Sequence, residues 1–150
     1  MKLAEALQNR ADLAARIDSL RARLNANALV QEGDSPAEEP AALLRELEAC
    51  AEQLEDLICR INLTNCRVTA DGEPMTALLA RRDVLRLRLS AYRDLVRESS
   101  QSARRATRSE IKIIPTVKAA ELQKHVDALS KELRVLENRI QQANWTEDLL

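Results

Sequence analysis

The sequence has no phenylalanine, and only one tryptophan, one tyrosine, two glycines and four prolines among its 150 residues. So few turn residues argue against a protein built from many short strands. The shortage of aromatic side chains argues against a roomy ligand cavity, which such side chains usually help to line. Two glycines are also too few for the usual phosphate-binding or dinucleotide-binding loops. The sequence has instead 24 leucines and 23 alanines, which favour a few long, closely packed helices.

The sequence also lacks long apolar runs and a large excess of charge of either sign. No run approaches the roughly 18 apolar residues of a membrane-spanning helix, and residues 1–5 turn polar at once, unlike a signal peptide. A formal net charge of −1 gives no overall attraction to nucleic acid or to an anionic membrane. The odd number of cysteines, which is three, fits a reducing compartment. We therefore predict a cytoplasmic protein that does not bind membranes.

Residue patterns that would carry catalysis or bind a metal are not found. The one histidine, His125, has Leu122 three residues before it, so the Glu-x-x-His motif of helical di-iron sites fails. Cysteine pairs with zinc-site spacing are absent. A pair formed by His125 and a thiol is left open, although no local signature supports it. We predict that the chain is not an enzyme and needs no cofactor or metal.

Residues 43–61 show the clearest pattern in the sequence. Apolar residues recur there in alternating steps of four and three: Leu43, Leu47, Cys50, Leu54, Leu57 and Ile61. The mean spacing of 3.5 residues keeps an apolar stripe facing a partner helix, as in coiled-coil pairs. The residues predict a helix packed along this seam, with Cys50 as a small apolar member of it.

The rest of the chain predicts three further helices and the turns between them. The four helices are expected at about 2–29, 40–65, 76–99 and 118–143, with Thr76 as the N-cap of the third. Ser35 to Glu38 reads as a capping box within a short turn, and Asp71-Gly72 as a second turn. The predicted fold is all-α: one domain, 1–150, with an elongated antiparallel arrangement of two long coiled-coil-like hairpins.

A short β element is the only exception that the sequence allows. Residues 111–114 are mostly β-branched and are stopped by Pro115, which is typical of a short strand. A lone strand is unstable, so it would pair either with residues 67–69 or with the same stretch in another subunit.

The third helix has a wider apolar face than the others. Its main stripe comprises Leu78, Leu85, Leu89, Tyr92 and Val96. Val84, Ala91 and Leu95 widen this stripe, which predicts contact with more than one neighbouring helix.

Charge is unevenly distributed between two segments. Residues 32–58 hold nine acidic residues and one basic residue, whereas residues 81–112 hold ten basic and four acidic residues. The candidate interaction residues are Glu46, Glu48, Glu52, Glu55 and Asp56 in the first segment and Arg81, Arg82, Arg86, Arg104, Arg105 and Arg108 in the second.

Two interpretations of these charges compete. In one, the acidic helix lies beside the arginine-rich helix, within one chain or between subunits, and the charges fix the pairing. In the other, segment 81–112 is a basic surface for nucleic acid or for an acidic protein. Nucleic acid is disfavoured because Tyr92, the one aromatic residue available for stacking there, lies on the apolar stripe.

Several short stretches resemble a known family along nearly the whole chain: residues 1–7, 30–33, 79–85, 109–112 and 143–146. The chain resembles a family of small bacterial proteins of unknown function, some of which are labelled septicolysin-like. The resemblance implies an all-helical hairpin fold and no established activity. The pore-forming activity hinted at by the label is not expected here, because no amphipathic strand pair is long enough to cross a bilayer.

Taken together, the residues predict a homo-oligomeric structural or interaction protein without catalysis. Long two-helix rods bury limited apolar area on their own, so pairing between copies is expected. A nucleic-acid-binding module using segment 81–112 is the alternative.

Overall fold

The computed structural model describes residues 1–105 and 113–150, and the side chains of residues 1–101 and 113–150. Those residues form four α-helices: α1 (Leu3–Ala26), α2 (Pro40–Arg67), α3 (Met75–Arg105) and α4 (Ala119–Thr146). They also form two strands of two residues each, β1 (Thr69–Ala70) and β2 (Glu73–Pro74). The predicted all-α fold, with four helices and at most a short β element, is confirmed.

The chain divides into two compact units. Unit 1 consists of Met1–Val68 and Ala143–Leu150, and unit 2 consists of Thr69–Gln142. Unit 2 is therefore inserted into the sequence of unit 1, and α4 begins in unit 2 and ends in unit 1. The single domain expected from the sequence stays a prediction.

In unit 1, helices α1 and α2 form an antiparallel hairpin along the seam seen in the sequence. Leu20 of α1 packs with Leu43 and Cys50 near the start of α2. At the other end of the hairpin, Leu3 packs with Ile61 of α2. The spacing of four and three residues explains this packing, because it turns each seam residue of α2 toward α1.

The last residues of the chain complete unit 1. The backbone N–H of Leu3 donates to the carbonyl oxygen of Glu147 over 2.9 Å. The N–H of Leu150 donates to Oγ1 of Thr64 over 3.0 Å, and that hydroxyl donates in turn to the carbonyl oxygen of Arg60 over 2.8 Å. Thr64 is fully buried, so these two hydrogen bonds offset the cost of removing its hydroxyl from water.

In unit 2, the Asp71-Gly72 turn produces a small β-hairpin. Both residues have positive φ angles, 51° and 80°, as the two-residue turns of type I′ require. Thr69 then pairs with Pro74 and Ala70 with Glu73. Pairing with this nearby partner costs less loop-closure entropy than pairing with residues 111–114, which was one of the two possibilities considered for residues 67–69.

The strand expected at residues 111–114 is only partly described. Ile113 and Ile114 belong to no strand. Ile111 and Lys112 lie outside the described residues.

Helices α3 and α4 also run antiparallel. Arg86 of α3 lies against Glu137 of α4, with 2.5 Å between guanidinium nitrogen and carboxylate oxygen. Further along α3, Tyr92 stacks on His125, which lies earlier on α4. Among the side chains that the structure describes in the unit 2 part of the two helices, the buried ones are Met75, Leu78, Leu85, Leu89, Val126, Leu129, Leu136 and Ile140.

Helix α1 ends at Ala26 rather than at residue 29. The Asn27 side chain donates to the carbonyl oxygen of Arg23 over 2.9 Å and accepts the N–H of Glu38 over 3.0 Å. These bonds end α1 and fix the loop before α2. The predicted capping box at residues 35–38 begins no helix. Instead α2 begins with Pro40, whose missing N–H is tolerated in the first turn.

Helix α3 is longer at its C-terminal end than predicted, and Thr76 is not its N-cap because the helix already includes Met75. The sequence predicts its end at about residue 99, where Ser99, Ser100 and Ser102 make the chain polar. The hydroxyl groups of Ser99 and Ser100 donate instead to the carbonyl oxygen of Val96, over 2.9 and 2.8 Å. Bonds of this kind let serine continue a helix, because its hydroxyl then competes less with the helical backbone.

Leu20→Ala is expected to lower the free energy of unfolding by about 2–5 kcal/mol, because Leu20 is fully buried between α1 and α2. Leu29→Ala is the matched control, since Leu29 is 91% exposed, and it should change the value by less than about 0.5 kcal/mol. Urea unfolding followed by circular dichroism measures both. Equal effects would contradict the packing of unit 1.

Candidate interaction surfaces

Helix α3 carries a second apolar stripe that the structure leaves exposed. Its members recur in steps of three and four residues, and all are exposed: Ala77, Ala80, Val84, Leu87, Ala91 and Leu95. Leu87 keeps 72% of its surface exposed. At about 100° per residue, this stripe lies opposite the buried residues Leu78 and Leu85. We call it the α3 stripe.

The α3 stripe corrects one expectation from the sequence. Val84, Ala91 and Leu95 do not widen the buried face of α3. They form a separate face together with Leu87. A spacing of 3.5 residues is what a helix needs to pair with another helix along such a face.

The arginines expected to form an interaction surface are mostly engaged by carboxylates of unit 2. Arg81 lies 2.6 Å from Glu73 of β2, and Arg86 lies 2.5 Å from Glu137 of α4. Arg82 contacts the neighbouring Asp83 over 2.8 Å. Arg104 and Arg105 belong to α3, but their side chains lie outside the description, as does the whole of Arg108.

The acidic residues of α2 divide into two groups. Glu46 lies 2.6 Å from Arg16 of α1, and Asp56 lies 3.5 Å from Arg60 of its own helix. The others are Glu48, Glu52 and Glu55, which are exposed. Within residues 1–101 and 113–150, these three carboxylates have no ion pair.

The residues that form ion pairs with these candidate side chains were not among the candidates from the sequence. Glu46 pairs with Arg16 and Glu38 with Arg23, both across the α1–α2 hairpin. In unit 2, Glu73 forms an ion pair with Arg81 of α3, and Glu137 forms one with Arg86 of α3. Each of these ion pairs lies within one unit. It therefore adds a contact within a helix pair that apolar residues already hold together.

Arg139 of α4 holds the β-hairpin of unit 2. Its Nε lies 2.9 Å from the carboxylate of Asp71, and one terminal nitrogen donates to the carbonyl oxygen of Ala70 over 3.1 Å. The same guanidinium lies 3.3 Å from Glu73. Glu73 is thus shared by Arg139 and Arg81, and together with Asp71 this places four charged side chains around one turn.

These ion pairs change the acidity of two carboxyl groups. The hydrogen bond from Arg81, with a smaller contribution from Arg139, lowers the pKa of Glu73 below its ordinary value. The hydrogen bond from Arg23 likewise lowers the pKa of Glu38. In both cases a nearby guanidinium favours the ionised carboxylate.

The residues considered for catalysis are spread along the chain. His125 is exposed and stacks on Tyr92, with 5.3 Å between ring centroids and 31° between ring planes. All three cysteines are free thiols, with Cys50 buried on the seam and Cys59 and Cys66 exposed on α2. This arrangement suits Cys50 to packing, as its place in the seam predicts.

The described residues lack two features, a helix able to span a membrane and a group of metal-binding side chains. Across residues 1–105 and 113–150, none of the helices is both long and apolar enough to span a lipid bilayer. In the same residues, no three His, Cys, Asp or Glu side chains are grouped so that they could hold a metal ion.

Comparisons with known proteins relate nearly the whole chain to uncharacterised ones. The sequence profile described as "Family of unknown function (DUF6847)" matches residues 10–149. A solved structure described as "a functionally unknown conserved protein from Corynebacterium diphtheriae" is 39% identical in sequence, with a TM-score of 0.94. The match covers 100% of this chain and 99% of the other. A comparison with curated proteins gave no match.

These findings support part of the resemblance noted in the sequence. An all-helical family of unknown function is what both matches indicate. The label septicolysin-like is not supported by either of them.

Glu73→Gln is expected to lower stability at neutral pH, because Arg81 and Arg139 lose a shared anion. A carboxylate whose folded pKa is lowered stabilises the fold above its unfolded pKa, about 4.3, and this contribution disappears as the pH falls through the folded value. The difference in thermal midpoint between wild type and variant should therefore be present at pH 7 and shrink as the pH falls below about 4.3.

Glu32→Gln is the control for this prediction, since Glu32 is exposed in the loop before α2 and has no ion pair among the described residues. Its difference from wild type should vary little with pH. A Glu73→Gln difference that stays constant down to pH 2.5 would contradict the role given to the arginines.

Proposed function

The chain belongs to the family of unknown function DUF6847, and from this premise we propose that it is a cytoplasmic, homo-oligomeric structural protein that acts without catalysis. The observation that carries the proposal is the α3 stripe. Val84 and Leu87 are large apolar side chains with most of their surface exposed. Burying such a side chain is worth about 1.5–3 kcal/mol, so a partner helix that covers the stripe is strongly favoured.

A second copy of α3 suits this stripe. In heptad terms Val84 occupies an a position and Leu87 the following d position. A β-branched residue at a with leucine at d favours parallel two-helix pairs. The alanines at 77, 80 and 91 allow the two helices to approach closely along the rest of the stripe.

The charges beside the stripe favour the same parallel arrangement. Asp83 lies on one flank of the stripe and Arg88 on the other. In a parallel pair, a residue at g meets the residue at e five positions later on the partner helix. Asp83 would therefore meet the partner's Arg88. In an antiparallel pair, each flank would lie against the same flank of the second copy. Arg88 would then face the second copy's arginine, and Asp83 would face its aspartate.

Val84→Glu is expected to reduce the assembly to a smaller species, because the substitution places a charge in the centre of an apolar contact. The protein should remain folded, since Val84 is 55% exposed in the single chain. Light scattering coupled to size exclusion, at micromolar concentration, measures the mass, and circular dichroism verifies the helices.

Val135→Glu is a matched control for that experiment. Val135 is 52% exposed on α4, so the same chemical change is made at similar exposure away from the stripe. Its mass should equal that of the wild type. A wild-type protein that is a folded monomer at micromolar concentration would overturn the proposal.

Leu87→Cys is expected to form a disulfide between copies under mild oxidation, because a parallel pair places residue 87 opposite its own copy. The variant is made together with Cys59→Ser and Cys66→Ser, since both thiols are exposed. Ala91→Cys, at the next a position of the stripe, should cross-link as well. Arg93→Cys, on a different side of α3, should not cross-link. Non-reducing electrophoresis measures the cross-linked fraction of all three variants. Cross-linking at 93 alone would contradict this pairing.

Nucleic-acid binding by segment 81–112 is the alternative function, and docking of an acidic protein partner is a variant of it. The described contacts give this alternative less support. Arg81 and Arg86 are each held by a carboxylate, and the ring of Tyr92 is occupied by His125. Binding of RNA or DNA that falls steeply with added salt would favour the alternative over self-association.

A further inference from the structure

Unit 1 has an apolar groove of its own, on one side of the α1–α2 hairpin. Ile17 contributes from α1, and Ala51, Leu54 and Ile58 contribute from α2. Leu44 extends this line of α2, because it precedes Ala51 by seven residues, and it is half-exposed. This groove, which we call the unit 1 groove, lies within a single unit and is independent of the α3 stripe.

Charges of opposite sign lie along the two edges of the unit 1 groove. Arg10 and Arg21 share a side of α1 with Ile17, since residues three, four or seven apart align along a helix. Glu55 lines the groove on α2, and Glu48 precedes it by seven residues. Among the side chains of residues 1–101 and 113–150, these four have no ion pair. The α1 edge is therefore basic and the α2 edge acidic.

The other side of the same hairpin is built differently. There Glu46 binds Arg16 across the two helices, over 2.6 Å, and Glu38 binds Arg23. On the groove side, apolar residues separate the basic edge from the acidic edge. That side thus exposes both an apolar strip and charges that a second molecule could pair.

We propose that a second copy of this chain covers the unit 1 groove, with α1 of each copy lying against α2 of the other. Two hairpins then form a four-helix bundle, in addition to the contact along the α3 stripe. This inference rests on the proposed self-association, but it concerns a different surface, so either contact can fail while the other holds.

The charges select this orientation from the two that a two-fold axis allows. If α1 lay on the partner's α1, the basic edges would face each other, and so would the acidic edges. If α1 lies on the partner's α2, each basic edge meets an acidic one. Asp18, the acidic residue after Ile17, is rotated by about 100° from it and lies further from the groove.

The levels of Arg10 and Glu55 along the helices also agree with this orientation. Arg16 pairs with Glu46 and Arg23 with Glu38, which shows which turns of α1 and α2 lie side by side. Extended back to Arg10, the same alignment reaches the turn of α2 around residue 52. Glu55 lies within one turn of that level, so Arg10 and the partner's Glu55 come within reach.

The chemistry of the groove favours a second copy over an unlike partner. A face with one basic and one acidic edge is complementary to itself when the two copies are related by a two-fold axis. A uniformly acidic partner would be repelled at the α2 edge, and a uniformly basic one at the α1 edge. Like charges placed opposite each other weaken such contacts strongly.

The test uses two charge-reversed variants of the protein. Each also carries Val84→Glu, which removes association through the α3 stripe, so that only association through the unit 1 groove is measured. One chain has Arg10→Glu and Arg21→Glu, which makes both edges acidic. The other has Glu48→Lys and Glu55→Lys, which makes both edges basic. The parent Val84→Glu chain is expected to dimerise, and each reversed chain alone should dimerise more than tenfold more weakly. A 1:1 mixture should form a heterodimer, which native mass spectrometry identifies by its mass.

Control substitutions separate groove charges from charge in general. Lys124→Glu and Glu132→Lys reverse two exposed charges on the part of α4 that belongs to unit 2, and they should leave dimerisation unchanged. A Val84→Glu parent that is monomeric throughout the micromolar range, or a mixture that associates no better than its components, would overturn the inference. The proposed function would survive that result if Val84→Glu still lowered the mass of the wild-type assembly.

Discussion

A pair of helices can bury only one side of each helix, and this limit governs the rest of the structure. The α1–α2 hairpin uses its buried side for Leu20, Leu43 and Cys50, and α3 uses its own for Leu78 and Leu85. Apolar residues on any other side must stay in water or be covered by another helix. The α3 stripe and the unit 1 groove both consist of such residues, and the proposed self-association would cover both.

The course of the helices could be predicted because it depends on a repeating pattern, whereas their ends depend on single contacts. The seam at residues 43–61 recurs through six positions and located α2 correctly. The end of α1 depends on the Asn27 side chain, which accepts an N–H from a residue eleven positions later. No local pattern announces that bond. The serines after Val96 were similarly ambiguous, because serine can either end a helix or bond back onto it.

The sign of the charge on each candidate surface could be predicted from the sequence, but the residue that each charged side chain contacts could not. An acidic α2 and an arginine-rich α3 are visible in the sequence, yet the side chain that each charge meets depends on its rotation about the helix axis. Glu46 and Glu48 are two residues apart, which is about 200° around the helix. One meets Arg16 and the other faces solvent. The α3 stripe was partly predictable for the same reason: the sequence points to Val84, Ala91 and Leu95 as apolar positions, but it does not show that they lie away from the buried side.

The insertion of unit 2 into unit 1 has a consequence for the order of folding during synthesis. A chain emerging from the ribosome contains every residue of unit 2 once Gln142 has been made. At that moment Leu3 still lacks Glu147, the residue that accepts its backbone N–H. Domains generally fold as their residues become available. Unit 1 contains the earlier residues, but it is the last of the two units to have all of its residues, because Ala143–Leu150 are made after Gln142.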